Sequence, residues 1–224
     1  MNPFVSVLSY YLCAPKTRFY GYRMKDEGRN IFSVFDELLS RTDKEKMLRQ
    51  HGAVIWLTGL SGSGKTTIAK SLEQQLHQKG FLTQVLDGDN IRAGINNNLT
   101  FTAEDRNENI RRISEVSKLF LNCGIVTINC FVSPSIAMRQ MAREIVGQND
   151  FIEVFVNTSL EECERRDTKG LYAKARKGEI KNFTGIDAPF EAPENAEVVL
   201  TTEGKTPQEC AAELLAFILP KIQP

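Results

Sequence analysis

The chain has 224 residues, 42% apolar and 25% charged, with 28 Lys and Arg against 28 Asp and Glu. That length suits one well-buried domain with a tail. Zero formal net charge argues against a nucleic-acid or membrane surface as the main partner, since both need a basic excess.

The opening MNPFVSVLSYYLCAPKTR is mostly apolar. It lacks the positive start of a signal peptide and is too short to span a bilayer. Residues 1–23 read as a dispensable extension, or as an upstream start not used before Met24. Five cysteines (Cys13, Cys123, Cys130, Cys163 and Cys210) form no CxxC pair. Free thiols, with Cys123 and Cys130 expected in apolar surroundings, point to a reducing, cytoplasmic compartment.

Ile31, Phe32, Val34, Phe35, Leu38 and Leu39 recur at helical spacing. They predict an amphipathic helix near 31–40, within an N-terminal extension of residues 1–50. Its apolar face would pack on the core or form a dimer contact. The main domain is expected over 51–224.

Five apolar, β-prone runs follow: AVIWLT (53–58), FLTQVL (81–86), IVTINCFV (125–132), FIEVFV (151–156) and EVVLTT (197–202). Runs apolar on both faces fit a buried parallel sheet. Helical patterns lie between them. Thr102 with Asp105 makes a cap-like start to a stripe of Ile110, Ile113, Val116, Leu119 and Phe120. Thr206, Pro207 and Glu209 open a last helix. The alternation predicts an α/β fold with five parallel strands or slightly more, flanked by helices.

GLSGSGKT, Gly59–Thr66, satisfies G-x-x-x-x-G-K-[ST] between a predicted strand and helix. Backbone N–H groups of Gly59, Ser61, Gly62, Ser63 and Gly64 would surround a triphosphate, with Thr66 and Thr67 opening the helix behind them. Lys65 would reach the β and γ phosphates, and the Thr66 hydroxyl would ligate Mg²⁺. The motif identifies the donor, ATP, and leaves the acceptor open. No N/T-K-x-D guanine-reading stretch is present, and the chain is short for a motor ATPase. A small-molecule kinase remains.

Strand two ends in LDGDNIR. Ligands of an open parallel sheet sit beyond the carboxyl ends of its strands. Asp89 is therefore expected at the γ-phosphate, and with neither His51 nor His77 well placed it is the available base. Asp87 either shapes the turn or helps hold the metal's waters. Arg92, Arg106, Arg111 and Arg112 follow closely, with Asn109 one turn from Arg106. Such a cluster suits an anionic acceptor. Ser133 ends strand three as a turn or cap residue. Arg165, Arg166, Lys169, Lys174, Arg176, Lys177 and Lys181 form a basic segment. It reads as a mobile lid over phosphates, about residues 165–193, or as a solvated face.

GLSGSGKTT, LDGDNIR, FTAEDRNENIRR, FVSP, RDTKGLYAKAR and NFTGIDAPFEAP together resemble the adenylylsulfate (APS) kinases over Gly52 to about Leu200. Thr100 stands where that family usually has glycine, and Val132 where isoleucine is common. The resemblance implies transfer of the γ-phosphoryl of ATP to the 3′-hydroxyl of adenosine 5′-phosphosulfate (APS). Asp89 would orient and deprotonate that hydroxyl and, with Thr66, hold Mg²⁺, partly through water. Arg92, Arg106 and Asn109 match phosphosulfate contacts, and Phe101 and Phe183 an adenine sandwich. Asp87, Val132, Lys169 and Leu171 complete the implied acceptor site. Ser133 matches a serine that accepts phosphoryl in some members. The resemblance further implies a homodimer and a separate ATP sulfurylase supplying the substrate.

Overall fold

The computed structural model describes residues 34–224. Ile31 and Phe32 of the expected amphipathic helix lie outside them. Over Phe35–Glu37 the chain makes one 3-10 turn, and Leu38 is extended. The first α-helix instead begins at Arg41, where the Ser40 hydroxyl accepts from the Asp43 N–H and caps it.

Leu39–Pro224 is built on a five-stranded parallel sheet. Its strands are β1 (Ala53–Thr58), β2 (Thr83–Asp87), β3 (Val126–Cys130), β4 (Phe151–Asn157) and β5 (Val198–Thr201). Their order is β2-β3-β1-β4-β5, so β1 is central. All five predicted strands form, and the fold is the expected α/β one. The helices are α1 (Arg41–Leu48), α2 (Lys65–Gln78), α3 (Gly88–Ala93), α4 (Ala103–Asn122), α5 (Ile136–Val146), α6 (Leu160–Arg166), α7 (Leu171–Arg176) and α8 (Pro207–Ile222).

Every residue of β1 is buried because the sheet is covered on both faces. Alternation along the strand divides the core. Ile55 and Leu57 pack with Ile68, Leu72, Leu76, Leu214 and Ile218 of α2 and α8. Val54 and Trp56 pack with Ile110, Ile113, Met138 and Ala142 of α4 and α5. Trp56 stacks on Phe151 at 5.5 Å and tilts against Phe131 at 5.6 Å. The predicted caps form: Thr102 accepts from the Asp105 N–H, and Thr206 with Glu209 makes a full capping box.

Cys130, Cys163 and Cys210 are buried free thiols, but Cys123 is exposed. It is the C-cap of α4, facing outward just before the strand, so the apolar run does not cover it. No helix among the described residues is long and apolar enough to cross a membrane.

Candidate active site

The carboxyl ends of the strands deliver the functional side chains to one edge. The loop after β1 is the phosphate cradle. Gly59, Gly62 and Gly64 hold φ of 147°, 75° and 106°, in the left-handed range where side chains strain the backbone. A Cβ on Gly59 would lie 2.6 Å from the Val156 carbonyl oxygen, so glycine is required there by space as well. Ser63 is fully buried. Its carbonyl accepts from the Thr158 hydroxyl at 3.0 Å and the Arg166 guanidinium at 3.3 Å, which ties the loop to the end of β4 and to α6. Ser61 holds the loop from the other side, its carbonyl accepting from the Tyr172 hydroxyl at 2.9 Å. Thr67 is exposed on the first turn of α2.

Lys65 is buried, with Nζ donating to the Gly59 carbonyl at 2.9 Å and the Leu60 carbonyl at 2.7 Å. Burial lowers its pKa to about 8, because desolvation penalises the ammonium. Beside it, the Thr66 hydroxyl donates to Asp87 Oδ2 at 2.7 Å. The other Asp87 oxygen accepts from the Asp89 N–H at 3.0 Å and so caps α3. Of the two alternatives left open for Asp87, the structure shows the turn-shaping one. The carboxylate touching Thr66 is that of Asp87, whereas Asp89 is exposed and ion-paired with Lys169 across the cleft.

Beyond α3, Arg92 donates to the Thr100 carbonyl at 2.8 Å and lies 4.3 Å over the Phe101 ring. Arg106 lies 6.0 Å over the same ring. It also donates to the Thr184 hydroxyl at 2.9 Å and the Asn182 carbonyl at 2.6 Å. Burial and the like charge of Arg106 hold Arg92 below its ordinary pKa. A bound anion would relieve that repulsion. Phe101 is 62% exposed even with the Arg92 guanidinium over its ring. Phe183 is packed edge-on against Tyr172 at 5.0 Å. The loop carrying Phe183 is held by Asp187, which accepts from the backbone N–H groups of Asn182 (2.7 Å) and Phe183 (2.5 Å).

Asn109 is buried one turn from Arg106 and bonded to Asn96. Leu171 opens α7, two residues after Lys169. Ser133 is also buried, with a φ of 38°. Its hydroxyl accepts from Trp56 Nε1 at 3.1 Å and lies 3.0 Å from the Thr58 hydroxyl. The Val132 carbonyl accepts from that Thr58 hydroxyl at 2.7 Å. Ser133 thus closes the turn after β3, and its oxygen is engaged inward.

Two groups are assembled directly: the cradle with Asp87, and Arg92 with Phe101 and Arg106. Asp89, paired with Lys169, stands between them along the chain, since α3 carries Asp89 and Arg92 directly after Asp87. Sequence reading missed Tyr172, Thr184 and Asp187. Only Asp187 left a signal, as an acid four residues after Phe183 in a glycine-containing turn. Tyr172 and Thr184 act through contacts across more than 70 residues, which no local pattern encodes.

The family model for adenylylsulphate kinase matches residues 51–201. The adenylyl-sulfate kinase of Bacteroides thetaiotaomicron is 59% identical over 198 residues, covering 88% of this chain and 98% of its own. That of Clostridium acetobutylicum is 53% identical over 180 residues, with coverages of 80% and 90%. The structure of the Mycobacterium tuberculosis APS kinase CysC in complex with AMPPNP and APS aligns with a TM-score of 0.73 at 46% identity. It covers 75% of this chain and 98% of that one. Matches of this extent, running through the cradle, both arginines and the basic segment, show that the chain belongs to the adenylylsulphate kinase family.

Proposed function

We propose that the protein transfers the γ-phosphoryl group of ATP to the 3′-hydroxyl of APS, giving 3′-phosphoadenosine 5′-phosphosulfate and ADP. The observation that carries this reading is the Asp89–Lys169 pair standing between a phosphate cradle and the Arg92–Phe101–Arg106 cluster. Donor and acceptor chemistry flank one carboxylate. A flat base suits the exposed Phe101 ring, with Phe183 as its counterpart, and an anionic group suits the two repelling guanidiniums.

Phosphoryl transfer asks a protein mainly to position its substrates and neutralise charge. Cradle N–H groups and Lys65 bind the triphosphate. Asp89 accepts a hydrogen bond from the 3′-hydroxyl and takes its proton as the oxygen attacks the γ-phosphorus. Release of Asp89 from Lys169 frees the carboxylate for the hydroxyl and the ammonium for the phosphates. The basic segment 165–193, anchored by Tyr172 on Ser61, serves as a lid that excludes water.

The oxygen donors at the cradle fit Mg²⁺. Thr66 and Asp87 are in contact, Asp89 is two residues on, and among the described residues no cluster of three or more His, Cys, Asp or Glu forms a cage. Such a set suits a cation carried largely by nucleotide oxygens. When bound, the ion would neutralise charge on the β and γ phosphates, held by Thr66 with Asp87 and Asp89 directly or through water. Ser133, with its hydroxyl engaged by Trp56, supports the acceptor turn; direct transfer needs no phosphoserine.

The test is product identification by mass spectrometry with APS, ATP and Mg²⁺, coupled to ADP release. ATP binding without any ADP release in the presence of APS would refute the reading. Homodimerisation, a separate ATP sulfurylase as supplier, a cytoplasmic location and dispensability of residues 1–23 belong to the same proposal. Light scattering tests the first, and comparison of kcat with and without residues 1–23 tests the last.

A further inference from the structure

Asn96 is fully buried in the turn between α3 and α4, and Asn109 is buried on α4. Buried amides are held by their partners, and a side-chain amide can face either way. Here the partners decide the direction. Arg112 can only donate. Its Nε is fixed on Glu108 Oε1 at 2.8 Å. Its Nη1 reaches Asn98 Oδ1 at 2.9 Å and Asn96 Oδ1 at 3.4 Å. Asn96 must therefore turn its carbonyl toward Arg112. Its Nδ2 is then the donor to Asn109, at 3.0 Å, and the atom it meets must be Asn109 Oδ1.

One group is left over, the NH₂ of Asn109. It donates to no acceptor among the described residues, yet it is not among the buried unpaired atoms. On a residue only 4% exposed, that NH₂ is the part that keeps contact with solvent, one helical turn from Arg106. We infer that Asn96 is a positioning residue for acceptor recognition: the relay Glu108–Arg112–Asn96–Asn109 aims the N–H of Asn109, not its carbonyl, at an anionic acceptor. For the identity of that acceptor, APS, the inference rests on the proposed reaction.

Replacing Asn96 by Asp keeps the volume and reverses the polarity. The introduced carboxylate accepts from Arg112 and from Asn109 alike, so Asn109 turns its carbonyl toward the anion. Asn96→Ala only releases Asn109, which can still choose the favourable direction. The dissociation constant for APS, measured by calorimetry without ATP, is expected to rise about 10- to 100-fold in Asn96→Asp and less in Asn96→Ala. ATP affinity stays unchanged in both. A merely structural role predicts the reverse order, because Ala leaves a hole and an unpaired Arg112. Arg112→Met, at a partly exposed position, is the second variant should Asn96→Asp not fold. It unlocks the relay, and a several-fold weakening for APS alone is expected. Equal APS affinity in wild type and variants, Ala weaker than Asp, or parallel loss of ATP binding overturns the relay. Absence of ADP release by the wild type, with APS still bound, refutes the reaction and leaves the relay to be judged on the affinities.

Discussion

Lys65 and Asp89 show how little a residue's identity says about its state. Lys65 is an invariant requirement of the cradle motif, but its pKa near 8 comes from burial among P-loop carbonyls. Triphosphate binding favours the ammonium, so the pKa rises on binding. Nucleotide affinity is then fullest below about pH 8 and falls as the pH rises through it, because the free enzyme loses the proton. Calorimetry at pH 8 in buffers of different ionisation enthalpy is expected to report net proton uptake with ATP. Asp89, exposed and paired with Lys169, has no structural burden that a neutral amide would fail to carry. Asp89→Asn is expected to keep the fold and ATP binding while losing about 10²-fold or more in kcat, the range expected of a general base. A near-wild-type rate would remove Asp89 from that role. Its part in LDGDNIR was legible as an acid at a strand end. That Asp87, rather than Asp89, meets Thr66 was not, because the two differ only in which way α3 turns after its cap.

Elements were legible where one pattern repeats along the chain. The strand boundaries of β1 coincide with the apolar run AVIWLT, and the Thr102 and Thr206 caps lie where the hydroxyl-to-acid spacing put them. Failure came where neighbours overrode periodicity. The stripe from Ile31 onward has helical spacing, yet Ser40 caps a helix at Arg41 that carries no apolar stripe of its own. That helix is held by polar contacts instead. Polar contact also fixes the start of α5. Arg139, 3% exposed, lies 2.6 Å from Glu153 and donates to the Ser133 carbonyl and the Glu191 carbonyl at 2.8 Å each. One guanidinium therefore joins α5, β4, the Ser133 turn and the loop carrying Glu191. Arg139→Met leaves Glu153 only its longer 3.7 Å contact with Arg143 and is expected to cost about 3 kcal/mol in urea unfolding. The double variant with Glu153→Met is expected to recover part of it, since no unpaired charge remains. A single variant within about 1 kcal/mol of wild type would show that the pair is not buried in solution.

At the scale of the molecule, the two edges of the sheet do different work. The carboxyl edge carries the site. The opposite edge is closed by α1 and the segment after it. Gln50 donates to the Leu82 and Gly124 carbonyls at 3.0 and 2.8 Å and accepts from the Leu82 N–H. It thereby satisfies backbone groups at the entrances of β2 and β3. Glu45 accepts from the Gly52 N–H at 2.8 Å and from Arg41, which also pairs with Asp150. Burial pushes the Glu45 carboxyl up, but the Gly52 N–H, Arg41 and His51 together hold it below its ordinary 4.5. A depressed carboxylate stabilises the fold above its unfolded pKa, and that contribution is lost as pH falls through the folded value. Glu45→Gln is thus expected to lower the urea midpoint at pH 7 and to approach wild type as the pH drops below about 4. A constant difference across that range would mean the charge of Glu45 is not what holds α1.

The sequence by itself determined the architecture and the donor chemistry. Strand runs, caps and the cradle motif are local, and their physics acts within a few residues of chain. The arginines that the proposal gives to an anionic acceptor were legible too, because they are clustered along α3 and α4. Tertiary structure alone decided the contacts between distant segments: Tyr172 on Ser61, Thr184 on Arg106, Lys169 on Asp89 and Asn96 on Asn109. A hydrogen bond depends on position to within a few tenths of an ångström and on the direction of each group. Neither exists until the sheet has brought its strand ends together.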